Sequence, residues 1–303
     1  MILFDISDTS IEAVKLSKSF LVGDSINAFT RVEFANGLVK EGEIKNKDAL
    51  GKIISTLLKT AKPKPMKDEV CGFTLPDKRV YTHRFTLSQR QDSQTVLGLV
   101  KAEVEKSIPQ PLEELIYRFD SLNHGEGEGE IFLMAVPTMI VNRYVELFND
   151  LGLPPRLIVP ESLAAYRFLA PVVQAGGTTL YLDVGKKTTN AVLMDKRGVV
   201  ETFSEPVQTD KLFTQLESLF KFACTRAGGC IRQVILGGGG SLAIDSAEVA
   251  SKLKVNVVLA GEAFKHFRLP IKVDFGNLSK MVFINTLGLA LLSKEESPLN
   301  LLP

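Results

Sequence analysis

Asp183-Val184-Gly185-Lys186-Lys187-Thr188-Thr189 and Gly237-Gly238-Gly239-Gly240-Ser241 are the segments of this sequence best composed to face an anion. Each follows an apolar run that reads as a β-strand, Leu180 to Leu182 in one case and Val234 to Leu236 in the other. Gly185 lets the backbone bend where a side chain would block a ligand, and Thr188 and Thr189 offer hydroxyls and N–H groups. Behind the four glycines, Ser241 is placed to cap a helix from Leu242 to Leu253, whose first N–H groups would face a phosphate. A third segment, Ile2 to Leu16, reads as strand, polar turn, strand. Asp5 closes its first strand as Asp183 does, and Ser7, Thr9 and Ser10 fill the turn with small hydroxyl residues. Each signal has a plainer reading: Asp-x-Gly after a strand is often a hairpin turn, and a glycine run a tight connection.

Two strand-Asp-turn-strand units, one opening each half, predict a duplicated α/β architecture with a cleft between the halves. Pro160 to Tyr166 and Asn285 to Leu291 read as helices with small residues on one face, as close helix crossings require. Leu50, Ile53, Ile54 and Leu57 form the stripe of a helix capped by Asn46, which the Lys59 to Lys67 stretch, read as a solvated linker, brings to an end. Strands are predicted at Val70 to Leu75 and Tyr81 to Leu87, and a helix over about Asp92 to Ser107. Leu115 to Leu122 and Glu130 to Val136 read as an antiparallel pair with a mobile tip at His124 to Gly129, and Pro137 as the start of a helix reaching Leu151. The block 81–152 is thus expected to be an α+β insertion.

With 303 residues, 45% of them hydrophobic, the chain can bury the cores of two domains. A net charge of +1 without a basic stripe argues against nucleic acid as the main partner. Cys71, Cys224 and Cys230 cannot all pair, which fits a reducing compartment, and neither they nor the three histidines have metal-ligand spacing, so no metal site is expected. No signal peptide opens the sequence, and no apolar stretch approaches the roughly 18–20 residues that cross a bilayer. A cytoplasmic protein is expected.

With these residues in place, the chain resembles the actin, sugar kinase and heat-shock ATPase superfamily, and within it the type IV pilus assembly protein PilM family, related to FtsA. The superfamily likeness lies in the segments at Asp5, Asp183 and Gly237 and in the two helices at Glu161 and Gly288; the family likeness lies in Val39 to Ile44, Thr74 to Leu87, Val104 to Glu114, Ala135 to Tyr144 and Leu151 to Pro155, in that order. The resemblance implies an actin-like two-half fold: a first half over 1–177 (core 1–80 and 153–177, partner-binding insertion 81–152), a second half over 178–292 and a tail over 293–303. It implies a nucleotide site of Asp5, Ser7, Thr9, Ser10, Asp183, Gly185, Thr188, Thr189, Gly237, Gly238, Gly239 and Gly240, with Asp5 and Asp183 reaching Mg²⁺ through water and Glu161 orienting an attacking water.

Two departures bear on that site. The stretch from Asp195 to Gln233 is too short for the helical subdomain that closes over the base in relatives. Glu12 stands where lysine is frequent and Ser7 where glycine is usual, both unfavourable to phosphate; Lys186 and Lys187 would compensate in part. ATP and Mg²⁺ binding is therefore expected to be weak or lost. The family resemblance implies a cytoplasmic scaffold, peripheral to the inner membrane through its partners: the peptide of a PilN-like membrane protein and a pilus assembly or secretion ATPase. The alternative is a working nucleotide switch or sugar-kinase-type phosphotransferase. Finally, Leu299-Asn300-Leu301-Leu302-Pro303 resembles the cytoplasmic motif of PilN, which PilM-like proteins bind between the first-half core and the insertion. That likeness implies a tail seated in the partner groove of its own chain or, by self-association, of a neighbour; the plainer reading is a frayed end.

Overall fold

Apolar residues on both faces of Ile2–Ile6 (β1) make it a fully buried strand, and the polar Ser7-Asp8-Thr9 turn reverses the chain into Ser10–Ser19 (β2) and then Gly23–Glu33 (β3). The structure, a computed structural model, describes residues 1–19, 23–87, 92–122, 129–208, 211–227, 229, 231–266, 279–295 and 299–303; the His124 to Gly129 tip lies almost entirely outside them. A two-strand ribbon, Val39–Lys40 (β4) with Glu43–Ile44 (β5), leads into Lys47–Lys59 (α1), whose first turn is capped by the Asn46 side chain. Cys71–Leu75 (β6) returns parallel to β1, and Pro155–Pro160 (β10) lies parallel to β6, giving a five-stranded sheet in the order β10-β6-β1-β2-β3.

The second half repeats this plan. Thr178–Val184 (β11), Thr188–Asp195 (β12) and Gly198–Pro206 (β13) form an antiparallel meander, and Ile231–Gly237 (β14) and Asn256–Leu259 (β15) join parallel to β11, in the order β13-β12-β11-β14-β15. Asp5 lies opposite Glu12 in the first hairpin, and Asp183 opposite Asn190 in the second. Duplication therefore sets equivalent carboxylates at equivalent register positions. The helix after each sheet, Glu161–Leu169 (α4) and Ile284–Leu292 (α7), crosses its counterpart at the centre of the molecule, with Gly288 against the Ala164 backbone.

Between β6 and β10 the chain makes Tyr81–Leu87 (β7), Ser93–Ser107 (α2, capped by Asp92), Leu115–Ser121 (β8), Gly129–Pro137 (β9) and Thr138–Asp150 (α3). The sheet order β7-β9-β8 and the alternation of β9 side chains between two buried faces explain the layering. Ile131 and Leu133 face α2 through Val100 and Val104, whereas Phe132, Met134 and Val136 face the main core. α3, grouped with the insertion from sequence, packs on the first-half sheet: Phe148 meets Phe4 at 4.9 Å and Phe73 at 5.0 Å, and Tyr144 donates to the Gly42 carbonyl at 3.0 Å. The buried Arg84 on β7 ties the insertion to the second half, donating to Asp195 at 2.7 and 3.2 Å and to the Val199 carbonyl at 3.0 Å.

Other local readings change. The Lys59 to Lys67 stretch is mostly solvated, with all but Ala61 and Met66 exposed, yet it is also pinned: Lys62 and Phe29 exchange backbone hydrogen bonds of 3.0 and 2.9 Å along the β3 edge. Between β13 and β14 the described chain adds one helix, Leu212–Arg226 (α5), packed against the second sheet. No element from that stretch stands over the cleft among the described residues. Ser241 is not a helix cap. The glycines enter a 3₁₀ turn, Gly239–Ala243, and the helix is Ser246–Leu253 (α6), capped by the Asp245 carboxylate through Ala247 and Glu248 N–H. That helix start therefore already holds its anion.

Candidate functional site: an acidic cleft and an occupied groove

The two hairpin turns, the glycine segment and the start of α7 enclose a cleft of about 670 Å³ between the halves. It is lined by Asp5, Ser7, Thr9, Ser10, Asp183, Gly185, Thr188, Gly238, Gly239 and Gly240, and by Glu161 at the start of α4. The structure thus brings together most of the residues singled out from sequence. Thr189 is fully buried instead, and Gly237 packs against Tyr181, whose ring would lie 2.7 Å from a Cβ there; neither lines the cleft.

Sequence reasoning missed Arg31, Asp77, Asn190 and Asn285, which also line the cleft. Asn285 donates to Asp5 at 2.9 Å and Thr74 donates to it at 2.5 Å; Asn190 donates to Glu161 at 3.1 Å. Asp77 accepts from the Ser162 N–H at 3.1 Å and hydroxyl at 2.6 Å, supplying from β6's end the cap that Pro160 cannot give α4. None of these has a local pattern that would mark it.

Electrostatics define what the cleft can hold. Burial, with mutual repulsion among Asp5, Asp77 and Asp183, pushes the Glu161 carboxyl well above its ordinary range. Burial and the neighbouring Asp5 raise Asp183 to about 7. Glu12 rises to about 8, chiefly through burial, even with the Arg31 guanidinium 2.6 Å away. Eight carboxylic side chains line the space against four cationic ones. Of the latter, Arg31 is committed to Glu12 and Glu33, and Lys186 to Glu33 at 3.2 Å.

These residues do not fit a magnesium triphosphate. In the first turn the Ser7 hydroxyl accepts from the Thr9 and Ser10 N–H groups at 3.2 and 2.9 Å, engaging the donors that a phosphate would need. Gly238 and Gly240 are explained by close packing rather than by an open cradle, whereas a Cβ on Gly239 would meet only the Val282 side chain at 3.5 Å. A Cβ on Gly238 (φ +78°) would lie 2.2 Å from an Asp183 oxygen, and one on Gly240 would lie 2.9 Å from the Val184 carbonyl. Among the described residues, no cluster of three or more His, Cys, Asp and Glu is placed to hold a metal ion.

A second site lies on the far edge of the first sheet. Leu299–Pro303 runs between the open edge of β10 and Arg118 on β8. Leu301 N–H donates to the Ile158 carbonyl at 2.8 Å, Ile158 N–H donates to the Asn300 side-chain oxygen at 3.0 Å, and the Asn300 amide donates to the Arg156 carbonyl at 2.9 Å. Arg118 donates to the carbonyls of Asn300 at 2.9 Å and Leu302 at 2.6 Å. Leu299 and Leu301 are buried, Leu302 is half-buried and Pro303 is exposed. The segment docks along the β10 edge through one backbone hydrogen bond, and the Asn300 side chain supplies the other contacts to that strand.

Two duplicated mixed sheets joined by crossing helices over a central cleft define an α/β actin-like fold. Within that class, residues 4–200 match the family described as type IV pilus assembly protein PilM, and the chain belongs to that family. In structure it is similar to a PilM-PilN type IV pilus biogenesis complex chain, with a TM-score of 0.78 at 18% identity, covering 97% of this chain and 98% of that one. It is also similar to the cytoplasmic domain of EpsL, an inner-membrane component of the type II secretion system of Vibrio cholerae (TM-score 0.53, 11% identity, 100% and 97% covered). A third likeness is to the ethanolamine utilization protein EutJ of Carboxydothermus hydrogenoformans (TM-score 0.51, 13% identity, 96% and 88% covered). A comparison with curated proteins found no significant match. No described helix is long and apolar enough to cross a membrane.

Proposed function

We propose that this protein is a scaffold of a type IV pilus or related secretion machine, working at the cytoplasmic face of the inner membrane by holding an extended peptide rather than by turning over ATP. The observation that carries this reading is the groove between β10 and Arg118, which presents an unpaired strand edge and two guanidinium donors to a Leu-Asn-Leu-Leu segment. The peptide of a PilN-like inner-membrane protein has that chemistry, and the PilM-PilN complex is the supporting neighbour. The outer face of the insertion, with Leu97 and Leu99 exposed on α2, is the surface we assign to further assembly partners such as the machine's ATPase.

The cleft supports the same reading from the other side, because the turn donors that a nucleotide's phosphates would need are already engaged. Isothermal calorimetry with ATP, with and without Mg²⁺, checks this. The expected result is no saturable heat at micromolar concentrations. Binding tighter than about 10 μM (roughly −7 kcal/mol) that Asp183→Ala abolishes would establish the nucleotide switch instead.

A further inference from the structure

We infer that Leu299–Pro303 is the resident ligand of the groove, so that receptor and peptide are parts of one chain and the docked segment excludes an external peptide of the same kind. This rests on the peptide-groove reading above. The contacts are those of a recognised ligand rather than of an adhering end. Asn300 spends both ends of its carboxamide on β10, accepting from Ile158 N–H and donating to the Arg156 carbonyl, so that one side chain reads a donor and an acceptor two residues apart. Aspartate there would set a charge against the Arg156 carbonyl. The Asn300 oxygen also accepts from Leu302 N–H at 3.2 Å, bending the segment so that its carbonyls face Arg118. Leu301, fully buried, and Leu299 join the main hydrophobic core.

The tether makes this occupancy persistent. The chain leaves α7 at Glu295, whose N–H donates to the Leu292 carbonyl at 3.0 Å and whose carboxylate is paired with Arg167 on α4. Only three residues separate Glu295 from Leu299. A linker that short holds its ligand at an effective concentration of about 1 mM. Against a segment with an intrinsic Kd of about 10 μM, the groove is then free about 1% of the time, and an external peptide of equal intrinsic affinity binds about 100-fold more weakly.

The test uses a fluorescein-labelled peptide of the sequence Ser-Pro-Leu-Asn-Leu-Leu-Pro, followed by anisotropy, with three forms of the full chain. These are the unaltered protein, Leu301→Glu, and a form with a protease site inserted after Glu295, cut after folding so that the segment stays seated but untethered. The unaltered chain is expected to bind about 100-fold more weakly than the cut form, and Leu301→Glu to bind as the cut form does. Because Leu301→Glu alters a buried position, the cut form decides the matter if that variant does not fold. Arg118→Ala in the cut form is expected to remove binding. Equal binding to cut and unaltered protein overturns the resident-ligand inference while leaving the groove reading intact. No binding to the folded cut form, with its released peptide washed out as verified by mass spectrometry, overturns the groove reading itself. A concentration-dependent doubling of mass that Leu301→Glu abolishes overturns occupancy by the chain's own segment in favour of a neighbour's.

Discussion

Gly288→Ala is expected to be among the most damaging single-methyl changes available in this protein. The Cβ it adds would lie 1.8 Å from the Ala164 carbonyl oxygen and 2.6 Å from its carbonyl carbon. Both are backbone atoms of α4, a helix whose residues Ala164, Ala165, Phe168 and Leu169 are buried, so it cannot yield locally. The alternative is for α4 and α7 to separate by more than an ångström along a crossing where Leu287, Leu289 and Ala290 are also fully buried. Close-packed interiors respond to such insertions with a loss of about 3 kcal/mol or more. For a chain of this size that corresponds to a fall in Tm of about 5–10 °C, read by thermal circular dichroism. Gly98→Ala is the control. Gly98 lies exposed in α2 with nothing within 4 Å of an added Cβ, and alanine there is expected to stabilise by about 0.5–1 kcal/mol. A Gly288→Ala protein that melts with the parent would mean that the helices do not cross this closely.

Gly288 also illustrates what the sequence makes visible. Small residues on one helical face announce a close crossing, because that pattern is local; the identity of the partner atom is not. The same division runs through the chain. Asn46 caps the helix assigned to it, and Asp5 and Asp183 end hairpin strands, since caps and alternation are properties of neighbouring residues. Ser241 misled because Asp245, four residues on, competes for the same role and wins with a charged acceptor bonded to two N–H groups. The Lys59 to Lys67 stretch is mostly exposed, as its composition indicates, whereas its pairing with the β3 edge at Lys62 is a long-range event with no signature there. Arg31, Asp77, Asn190 and Asn285 come from four separate elements, and only the folded duplication makes them neighbours. The Leu299–Pro303 motif was legible by family resemblance, whereas Arg118, which grips it from about 180 residues away, was not.

Asp183→Asn is expected to make the protein more stable at pH 8 and to leave its stability nearly unchanged at pH 4.5. Asp183 is buried at the end of β11, and burial together with Asp5 and Asp77 raises its carboxyl from an ordinary value of 3.8 to about 7. A folded-state value above the unfolded one means that the native protein binds the proton more tightly than the unfolded chain does. Its contribution to stability is therefore fully present below about pH 4 and is lost as pH rises through about 7. Ionising this group in place costs on the order of 4 kcal/mol relative to the unfolded chain, at about 1.4 kcal/mol per pH unit. Glu12, raised to about 8, adds a loss of the same sign over the same interval. The parent should thus melt several degrees lower at pH 8 than at pH 5.5, the reverse of a fold held by ionised, salt-bridged carboxylates. Asparagine keeps the shape of Asp183 without its charge, so the gain in Tm should grow across pH 5 to 8 and flatten above it. Differential scanning calorimetry at four or five pH values gives the full curve. A parent Tm that rises between pH 5.5 and 8, or an Asp183→Asn protein less stable than the parent at pH 8, would show that the carboxylates of the cleft are held by a compensating positive charge rather than by shared protons.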